Sequence, residues 1–271
     1  MRGVSEASYQ AVSDRFQPVL EAAGADAAEL GRQAYAVVDL LDRSAALRRA
    51  FTDPARDPGS KADLVVGVLE GKVDGRVVDL VAALAHARWS GEHDLTEALA
   101  ELAAVSVLAA AEATGDLARV EEELFRLDRL LTGERKLRDA LNDRLADPAS
   151  KGRLVSELLA GKVHPVTLQL VERSAATPRG RRISVTLADL GRLSAYRRRL
   201  LVATATVAVA LTPQQSERLT RVLADTYGRP VQLNVAVDPQ VVGGVRVEID
   251  GDVVDSTVVA RLVDVRRRLA G

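Results

Sequence analysis

The apolar residues of this chain follow two different periods. From about residue 6 to residue 199 they recur at every third or fourth position, as at Val12, Phe16, Val19 and Leu20, which predicts amphipathic helices. After residue 199 they alternate with polar residues, as in the stretch 231–237, which predicts strands. The expected fold class is therefore α+β overall: a mainly α body of two tandem helical bundles, followed by a small C-terminal α+β domain.

The helical part contains an internal repeat with an offset of ninety residues. Aligning Leu40–Val81 with Leu130–Val171 gives 18 identical residues in 42 positions without a gap, whereas chance gives about three at this composition. The most regular stretches are Asp57–Val73 and Asp147–Val163. One helical unit has therefore been duplicated.

Each copy of the repeated unit carries its own start and stop signals for a short helix. Ser60 and Ser150 are expected to cap its N-terminus, after a proline that ends the preceding helix. Gly71 and Gly161 are expected to end it with a positive φ, and the lysine that follows each glycine lies beside the last carbonyl groups. The same helix is thus predicted in both copies.

Three domains follow from this organisation. Residues 1–103 form an extra N-terminal helical bundle, residues 104–199 form the second bundle, and residues 200–271 form the α+β domain. A helix rich in Ala and Leu, from about Leu95 to Thr114, is expected to close the first bundle and to open the second.

The C-terminal domain shows strand and helix signals in turn. The predicted order is a strand over Val202–Leu211, a helix capped by Thr212, a strand over 231–237, a strand that leads into a hairpin turn at Asp250-Gly251, and a final helix capped by Asp255 or Ser256.

Composition narrows the class of protein. Hydrophobic residues make up 47% of the chain but aromatic residues only 3%, so Ala, Leu and Val do the packing. The formal net charge of −1 gives no overall attraction to nucleic acid or anionic lipid, and the lack of cysteine excludes disulfides and thiolate metal sites. Nothing near Met1 resembles a signal peptide and no uncharged stretch reaches membrane-spanning length, so a soluble intracellular chain is expected.

Residues that could carry chemistry are few. The three histidines, His86, His93 and His164, lack metal-ligand spacing, and a histidine among charged residues is usually exposed. The stretch Gly67–Lys72 is one residue short of a phosphate-binding loop and lies inside and at the end of a predicted helix. No nucleophile motif is present, so an enzyme is not expected, and neither a catalytic residue nor a cofactor or metal site is predicted.

Two basic clusters, Arg179–Arg182 and Arg197–Arg199, flank the last helix of the second bundle. Locally they resemble a nucleic-acid patch. The near-neutral chain and its few aromatic residues favour an interdomain or protein-partner surface instead. A helical nucleic-acid-binding protein and a general scaffold adaptor therefore remain the alternative functions.

The C-terminal sequence resembles the signature of the ATP synthase delta subunit, the family that includes the oligomycin-sensitivity-conferring protein. The resemblance lies in Val237–Val247, which reads VDPQVVGGVRV, and in Asp255–Leu262, which reads DSTVVARL. Its signature residues are Asp238, Pro239, Gly243, Gly244, Asp255, Ser256, Arg261 and Leu262. The match covers about residues 104–271, and residues 1–103 look like an additional copy of the helical domain, as in elongated members of the family.

The resemblance implies a non-catalytic stator subunit of F-type ATP synthase, peripheral on the cytoplasmic face of a bacterial plasma membrane. Its implied partners are an N-terminal helix of an alpha subunit, gripped by the helical domain, and the C-terminal region of the b subunit, held by the C-terminal domain. The duplication suggests one partner helix for each copy. By family analogy the partner-binding candidates lie on the first and fifth helices of the second copy: Val105, Leu108, Val166, Leu170 and Val171.

Overall fold

The computed structural model describes residues 3–199, 201–227, 230–239, 241, 244–249 and 252–255 of the 271-residue chain. The chain divides into two compact units, Met1–Arg198 and Arg199–Gly271. The first unit is helical and the second combines helix and sheet, which confirms the predicted fold class.

The first unit consists of helices joined by short connections, as in other helical bundles. They are α1 (Val4–Ala23), α2 (Ala27–Arg43), α3 (Ala45–Thr52), α4 (Pro58–Leu69), α5 (Gly75–His86), α6 (Glu92–Ala113), α7 (Leu117–Gly133), α8 (Arg135–Asn142), α9 (Pro148–Leu159), α10 (Pro165–Ala176) and α11 (Ile183–Arg199). A 3-10 turn, Gly24–Asp26, joins α1 to α2.

The sequence repeat is also a structural repeat. Adding ninety to the bounds of α2, α3, α4 and α5 gives the bounds of α7, α8, α9 and α10, for example 58 + 90 = 148 and 69 + 90 = 159 for α4 and α9. By the same offset α1 corresponds to α6, and α6 corresponds to α11. Helix α6 is therefore the last helix of the first copy and the first helix of the second.

The short helices α4 and α9 begin earlier than the sequence predicted. The caps are Asp57 and Asp147, whose carboxylates accept hydrogen bonds from the backbone N–H of Ser60 at 3.0 Å and of Ser150 at 2.9 Å. The prediction that the two serines cap these helices was wrong. Proline is favoured in the first turn of a helix, because an N–H at that position would have no partner within the helix. The helix can therefore start at the proline itself.

The C-terminal ends of the same helices are as predicted. Gly71 and Gly161 follow them with φ of 71° and 73°, which other residues adopt only with strain. The ammonium group of Lys72 donates to the carbonyl oxygen of Val68 at 2.7 Å, and the second copy repeats this bond from Lys162 at 2.9 Å. Identical residues in the two copies therefore make identical contacts.

One apolar core runs through the helical unit. Its centre is α6, which is buried on most of its circumference and is made largely of Ala, Leu and Val. A shared helix needs small side chains because helices from both copies pack against it. The predicted boundary at 103/104 falls inside α6, and the division into separate bundles at that point stays a prediction.

The second unit contains β1 (Leu201–Val207), α12 (Pro213–Tyr227), β2 (Val231–Val237), β3 (Val245–Ile249) and β4 (Asp252–Asp255). The strand order is β2-β1-β3-β4, with β1 parallel to β2 and antiparallel to β3, and with β3 antiparallel to β4. Because β1 and β2 are parallel, α12 makes the crossover between them. Side chains of β1, β2, β3 and α12 form a separate small core.

Two predictions for this unit have different outcomes. The first strand ends at Val207 rather than at Leu211. The pairing of Ile249 with Asp252 leaves two residues between β3 and β4, as expected of the predicted hairpin turn. The turn residues 250–251 and the predicted final helix after residue 255 lie outside the described residues.

Candidate partner-binding site

The five predicted partner-binding residues lie on two neighbouring helices of the second copy. Val105 and Leu108 belong to α6, and Val166, Leu170 and Val171 belong to α10. All five side chains are 6% exposed or less and belong to the core of the helical unit. They are thus packed inside the chain itself, and their role in binding a partner stays a prediction.

Helix α2 of the first copy packs very closely on α6. A Cβ atom at Gly31 would lie 2.5 Å from Cγ2 of Val107 and 2.7 Å from the backbone oxygen of Ala103. Cβ atoms do not approach other atoms so closely, so only glycine permits this contact. The repeat-related position on α7 is Glu121, a residue that could not approach so closely.

Helix α2 also contacts α10, through two side chains of α10. Arg173 forms a two-pronged ion pair with Asp39, with N–O distances of 2.7 and 2.8 Å, and its guanidinium lies 4.6 Å from the centre of the Tyr35 ring. The side-chain amide of Gln169 donates to the backbone oxygen of Ala28 at 3.1 Å. Paired and partly buried guanidinium groups of this kind form strong, direction-dependent contacts.

The Tyr35 ring is half-buried, and burial raises the pKa of its hydroxyl group, although the guanidinium groups of Arg173 and Arg179 act in the opposite direction. The ring therefore stays neutral beside the Arg173–Asp39 ion pair.

Three helices, α2, α6 and α10, thus contact one another. Helix α2 packs along α6 and reaches α10 through the side chains of Gln169 and Arg173. The residues that make the contact, Ala103, Val107, Gln169 and Arg173, were not predicted. Gly31, inside an otherwise good helix, was the one signal in the sequence for a close helix contact.

The first basic cluster fastens the second copy to the first. Arg179 pairs with Asp42 at the end of α2 at 3.0 Å and with Glu97 of α6 at 3.2 Å. Arg181 pairs with Glu97 at 3.0 Å and with Asp189 of α11 at 3.4 Å. These guanidinium groups are occupied by internal acidic partners.

The second basic cluster acts in the same way. The guanidinium of Arg197 is buried, donates to Glu112 of α6 at 3.0 Å through Nε, and donates to the side-chain oxygen of Gln17 of α1 at 3.1 Å. Arg198 pairs with Glu121 of α7 at 2.7 Å. A nucleic-acid patch needs charges that are free to meet phosphates, so this arrangement does not favour the nucleic-acid alternative.

The histidines occupy structural or exposed positions. The Nδ1 atom of His164 caps α10 by accepting from the backbone N–H of Val166 at 3.2 Å, and the backbone N–H of His164 donates to the carboxylate of Glu123 at 2.8 Å. His86 and His93 are exposed. Within the described ranges, no group of three or more His, Cys, Asp or Glu residues could hold a metal ion. The helices in those ranges are also too short or too polar to cross a membrane.

The signature segment joins β2 to β3 across the end of β1. The N–H of Asp238 donates to the oxygen of Val207, the last residue of β1, at 2.9 Å, and the oxygen of Asp238 accepts from the N–H of Val241 at 3.1 Å. Gly244 has a φ of 87° immediately before β3. The signature therefore builds a turn; Pro239 lies exposed within it.

The other signature residues are only partly described. Asp255 ends β4 and is paired with Arg246 of β3. Gly243, Ser256, Arg261 and Leu262 lie outside the described residues.

These features define a class of protein: a mainly helical chain with two fastened copies of one helical unit and a small α+β unit. The family model of the ATP synthase delta (OSCP) subunit matches residues 99–269. Proteins named ATP synthase subunit delta match along the whole chain: the one from Beutenbergia cavernae is 51% identical over 271 residues, covering 100% of both chains.

Two further relatives carry the same name. The protein from Kineococcus radiotolerans is 44% identical over 99% of this chain and 98% of its own, and that from Streptomyces griseus is 41% identical over 100% of both. The chain belongs to the ATP synthase delta (OSCP) subunit family. The resemblance read from the C-terminal signature is confirmed, and the matched relatives extend over residues 1–98, which the family model does not cover.

Proposed function

We propose that this chain holds the catalytic head of F-type ATP synthase to the peripheral stalk. In this proposal the helical unit grips the N-terminal helix of an alpha subunit and the C-terminal unit holds the C-terminal region of the b subunit. The chain then sits on the cytoplasmic face of a bacterial plasma membrane, peripheral to it and attached only through the complex. Membership of the delta family supports a non-catalytic, stator-connecting role.

The observation that carries the proposal is the fastening of the two helical copies into one unit. A stator connector must resist the torque that rotation exerts on the head, so it must not yield between its own parts. Sharing α6 removes any linker between the copies, because both of them pack against one continuous helix. Ion pairs from Arg173, Arg179 and Arg197 then hold the second copy to helices of the first.

The contact of α2 with the α6–α10 pair supports helix binding as the mode of recognition. A helix laid into a groove between two others is a recurring way to hold a partner segment. The chain already packs one of its own helices, α2, closely on α6, so the fold is suited to close contact with a helix of another subunit.

The experiment that tests this function uses the purified rotary enzyme with and without the chain. We expect the enzyme without it to hydrolyse ATP but to lose proton-driven ATP synthesis, and we expect added chain to restore synthesis. An enzyme that makes ATP at full yield without the chain would refute the proposal.

The two partners are tested separately. Alpha subunits that lack their N-terminal helix, and b subunits that lack their C-terminal region, should each fail to capture the chain in pull-downs, while the full-length subunits capture it. Capture by both shortened subunits would refute the assignment of partners but would leave the connector role open to the synthesis assay.

A further inference from the structure

We propose that His164 is a proton-sensitive cap of α10: the neutral imidazole holds the first turn of this helix, and protonation of the ring releases it. Histidine is the side chain whose charge ordinarily changes between about pH 5 and pH 8, so a helix that is capped by histidine depends on pH in this range. The repeat-related helix of the first copy, α5, is capped by the carboxylate of Asp74 instead.

The first step is the state of the ring that the geometry requires. The Nδ1 atom of His164 accepts from the backbone N–H of Val166 at 3.2 Å, so it carries no proton. The ring proton of the neutral form therefore lies on Nε2, which is 3.5 Å from the carboxylate of Asp116 at the start of α7. The His164 side chain is only 14% exposed, so water has little access to the place of the cap.

The second step is the effect of a second ring proton. An imidazolium has no acceptor atom, so the N–H of Val166 would lose its partner. The positive charge would also lie at the N-terminus of α10, where the helix dipole is unfavourable to a cation. The charge is attracted instead to the carboxylate of Asp116. The neutral ring therefore caps the helix, and the charged ring pairs with Asp116.

The carboxylate of Glu123, on α7, adds to this attraction. It accepts from the backbone N–H of His164 at 2.8 Å and from the hydroxyl of Thr167 at 2.6 Å, and it pairs with Arg119 at 2.9 Å. Burial acts to raise the pKa of the Glu123 carboxyl, but these hydrogen bonds outweigh burial and lower the pKa below its usual value. Glu123 therefore stays ionised while a histidine titrates.

The other neighbours of the cap leave this exchange unopposed. Lys162 precedes the cap by two residues, but its ammonium group donates to the carbonyl oxygen of Leu158 at the end of α9. Among the residues that the structure describes, the imidazole of His164 has no hydrogen bond or ion pair with a side chain of α2, α6 or α9. Asp116 is therefore the charged partner within reach of the protonated ring.

The first copy provides the matched case. Asp74 occupies the repeat position of His164, and its carboxylate caps α5 by accepting from the backbone N–H of Arg76 at 2.9 Å. The backbone N–H of Asp74 donates to Gln33, just as that of His164 donates to Glu123. Hydrogen bonds from Arg76 lower the pKa of Asp74 to about 2, so this cap stays intact where a histidine cap is lost.

The release of the cap acts on a buried part of the second copy. Val166 and Thr167 lie in the first turn of α10, with exposed fractions of 5% and 0%. The same helix carries Gln169 and Arg173, the two side chains that reach α2 of the first copy. Acidification therefore loosens the start of the helix that ties the second copy to the first, and it leaves α5 unchanged.

The test exchanges the two caps. Amide hydrogen exchange of the full chain is followed by NMR at about pH 7.5 and about pH 5.5, and each rate is divided by the rate of an unstructured chain at the same pH. We expect the protection of the first turn of α10 to fall about fivefold on acidification, as for the loss of one cap, while that of α5 stays constant. The fall should disappear in His164→Asp, and a similar fall should appear in α5 of Asp74→His.

Equal protection of the first turn of α10 at both pH values would overturn the inference. So would a fall that persists in His164→Asp, or one that Asp74→His does not transfer to α5, because another group would then be the one that titrates. The comparison of α10 with α5 in the unaltered chain decides the matter even where a variant does not fold, which circular dichroism checks.

Discussion

Gly31 offers the sharpest test of how closely α2 packs on α6. In an ordinary helix interior, replacing glycine with alanine stabilises the protein by about 1 kcal/mol, because alanine has the better helix propensity. At Gly31 the added methyl group would meet Cγ2 of Val107 at 2.5 Å and the backbone oxygen of Ala103 at 2.7 Å. The side chain of Val107 can rotate away, but the backbone oxygen belongs to the central helix of the core and cannot.

The magnitude follows from these two opposing effects. Forcing an extra carbon into a well-packed core costs about 1–3 kcal/mol. A matched control is Gly67→Ala, in α4, where an added Cβ would meet no atom within 4 Å. The control should therefore show only the gain in helix propensity. We expect Gly31→Ala to be less stable than Gly67→Ala by about 1–3 kcal/mol in free energy of unfolding.

The assay is urea denaturation of the full-length variants, followed by circular dichroism at the helix signal. Equal m-values for the two variants would show that the comparison concerns stability and not a change in the unfolded state. If Gly31→Ala proved as stabilising as Gly67→Ala, α2 would not approach α6 as closely as described.

Three further predictions concern single side chains. Arg173→Ala should lower the free energy of unfolding by about 1–3 kcal/mol, because it removes a partly buried two-pronged ion pair and a ring contact. As a control, Arg126→Ala removes an exposed ion pair within α7 and should change the free energy of unfolding by less than about 0.5 kcal/mol. Asp57→Ala should cost about 1 kcal/mol in thermal or urea unfolding, whereas Ser60→Ala should cost less, since only the aspartate caps α4. For Asp74, hydrogen bonds from Arg76 lower the carboxyl pKa from 3.8 to about 2, so its stabilising effect is complete above pH 3.8 and disappears as the pH falls through about 2. The stabilities of the wild-type chain and Asp74→Asn, measured against pH, should therefore differ at pH 7 and converge near pH 2.

Each of these predictions has an outcome that would contradict it. Equal losses for the two arginine variants would mean that the Arg173 contact is no stronger than a surface ion pair. A larger effect of Ser60→Ala than of Asp57→Ala would restore the serine as the cap. A constant difference between wild type and Asp74→Asn down to pH 2 would show that the carboxylate charge does not contribute.

Helix α7 is the repeat counterpart of α2, but it differs from α2 at the positions through which α2 contacts α10. The counterpart of Tyr35 is Phe125, which is 56% exposed, and the counterpart of Asp39 is Arg129, whose guanidinium lies 5.7 Å from the Phe125 ring. In the first copy the ring is covered by an arginine from the other copy, and in the second by an arginine of its own helix. The second copy is therefore not shaped to receive another bundle in the same way, as expected at the end of a short tandem repeat.

Local signals were sufficient for much of the fold. The bounds of the repeated helices depend on neighbouring residues, such as Gly71 with its positive φ and Lys72 on the last carbonyl groups, and these could be read directly from the sequence. The choice between Asp57 and Ser60 as the cap could not, because both residue types are good caps and only the path of the chain before the proline distinguishes them. The five predicted partner-binding residues carried no local signal that they would be buried in the core of the chain itself.

The sequence by itself determined the duplication, the helical and mixed units, and the family, because each of these depends on periodicity, on short-range interactions or on a contiguous signature. The shared helix was also expected from the sequence, and only the tertiary structure decided that α2 packs on α6 and reaches α10. Asp39 and Arg173 are 134 residues apart in the chain, and they meet only because a common helix sets the position of one copy on the other. A contact between residues so far apart in sequence depends on how whole helices pack against one another. No local pattern of residues specifies that packing.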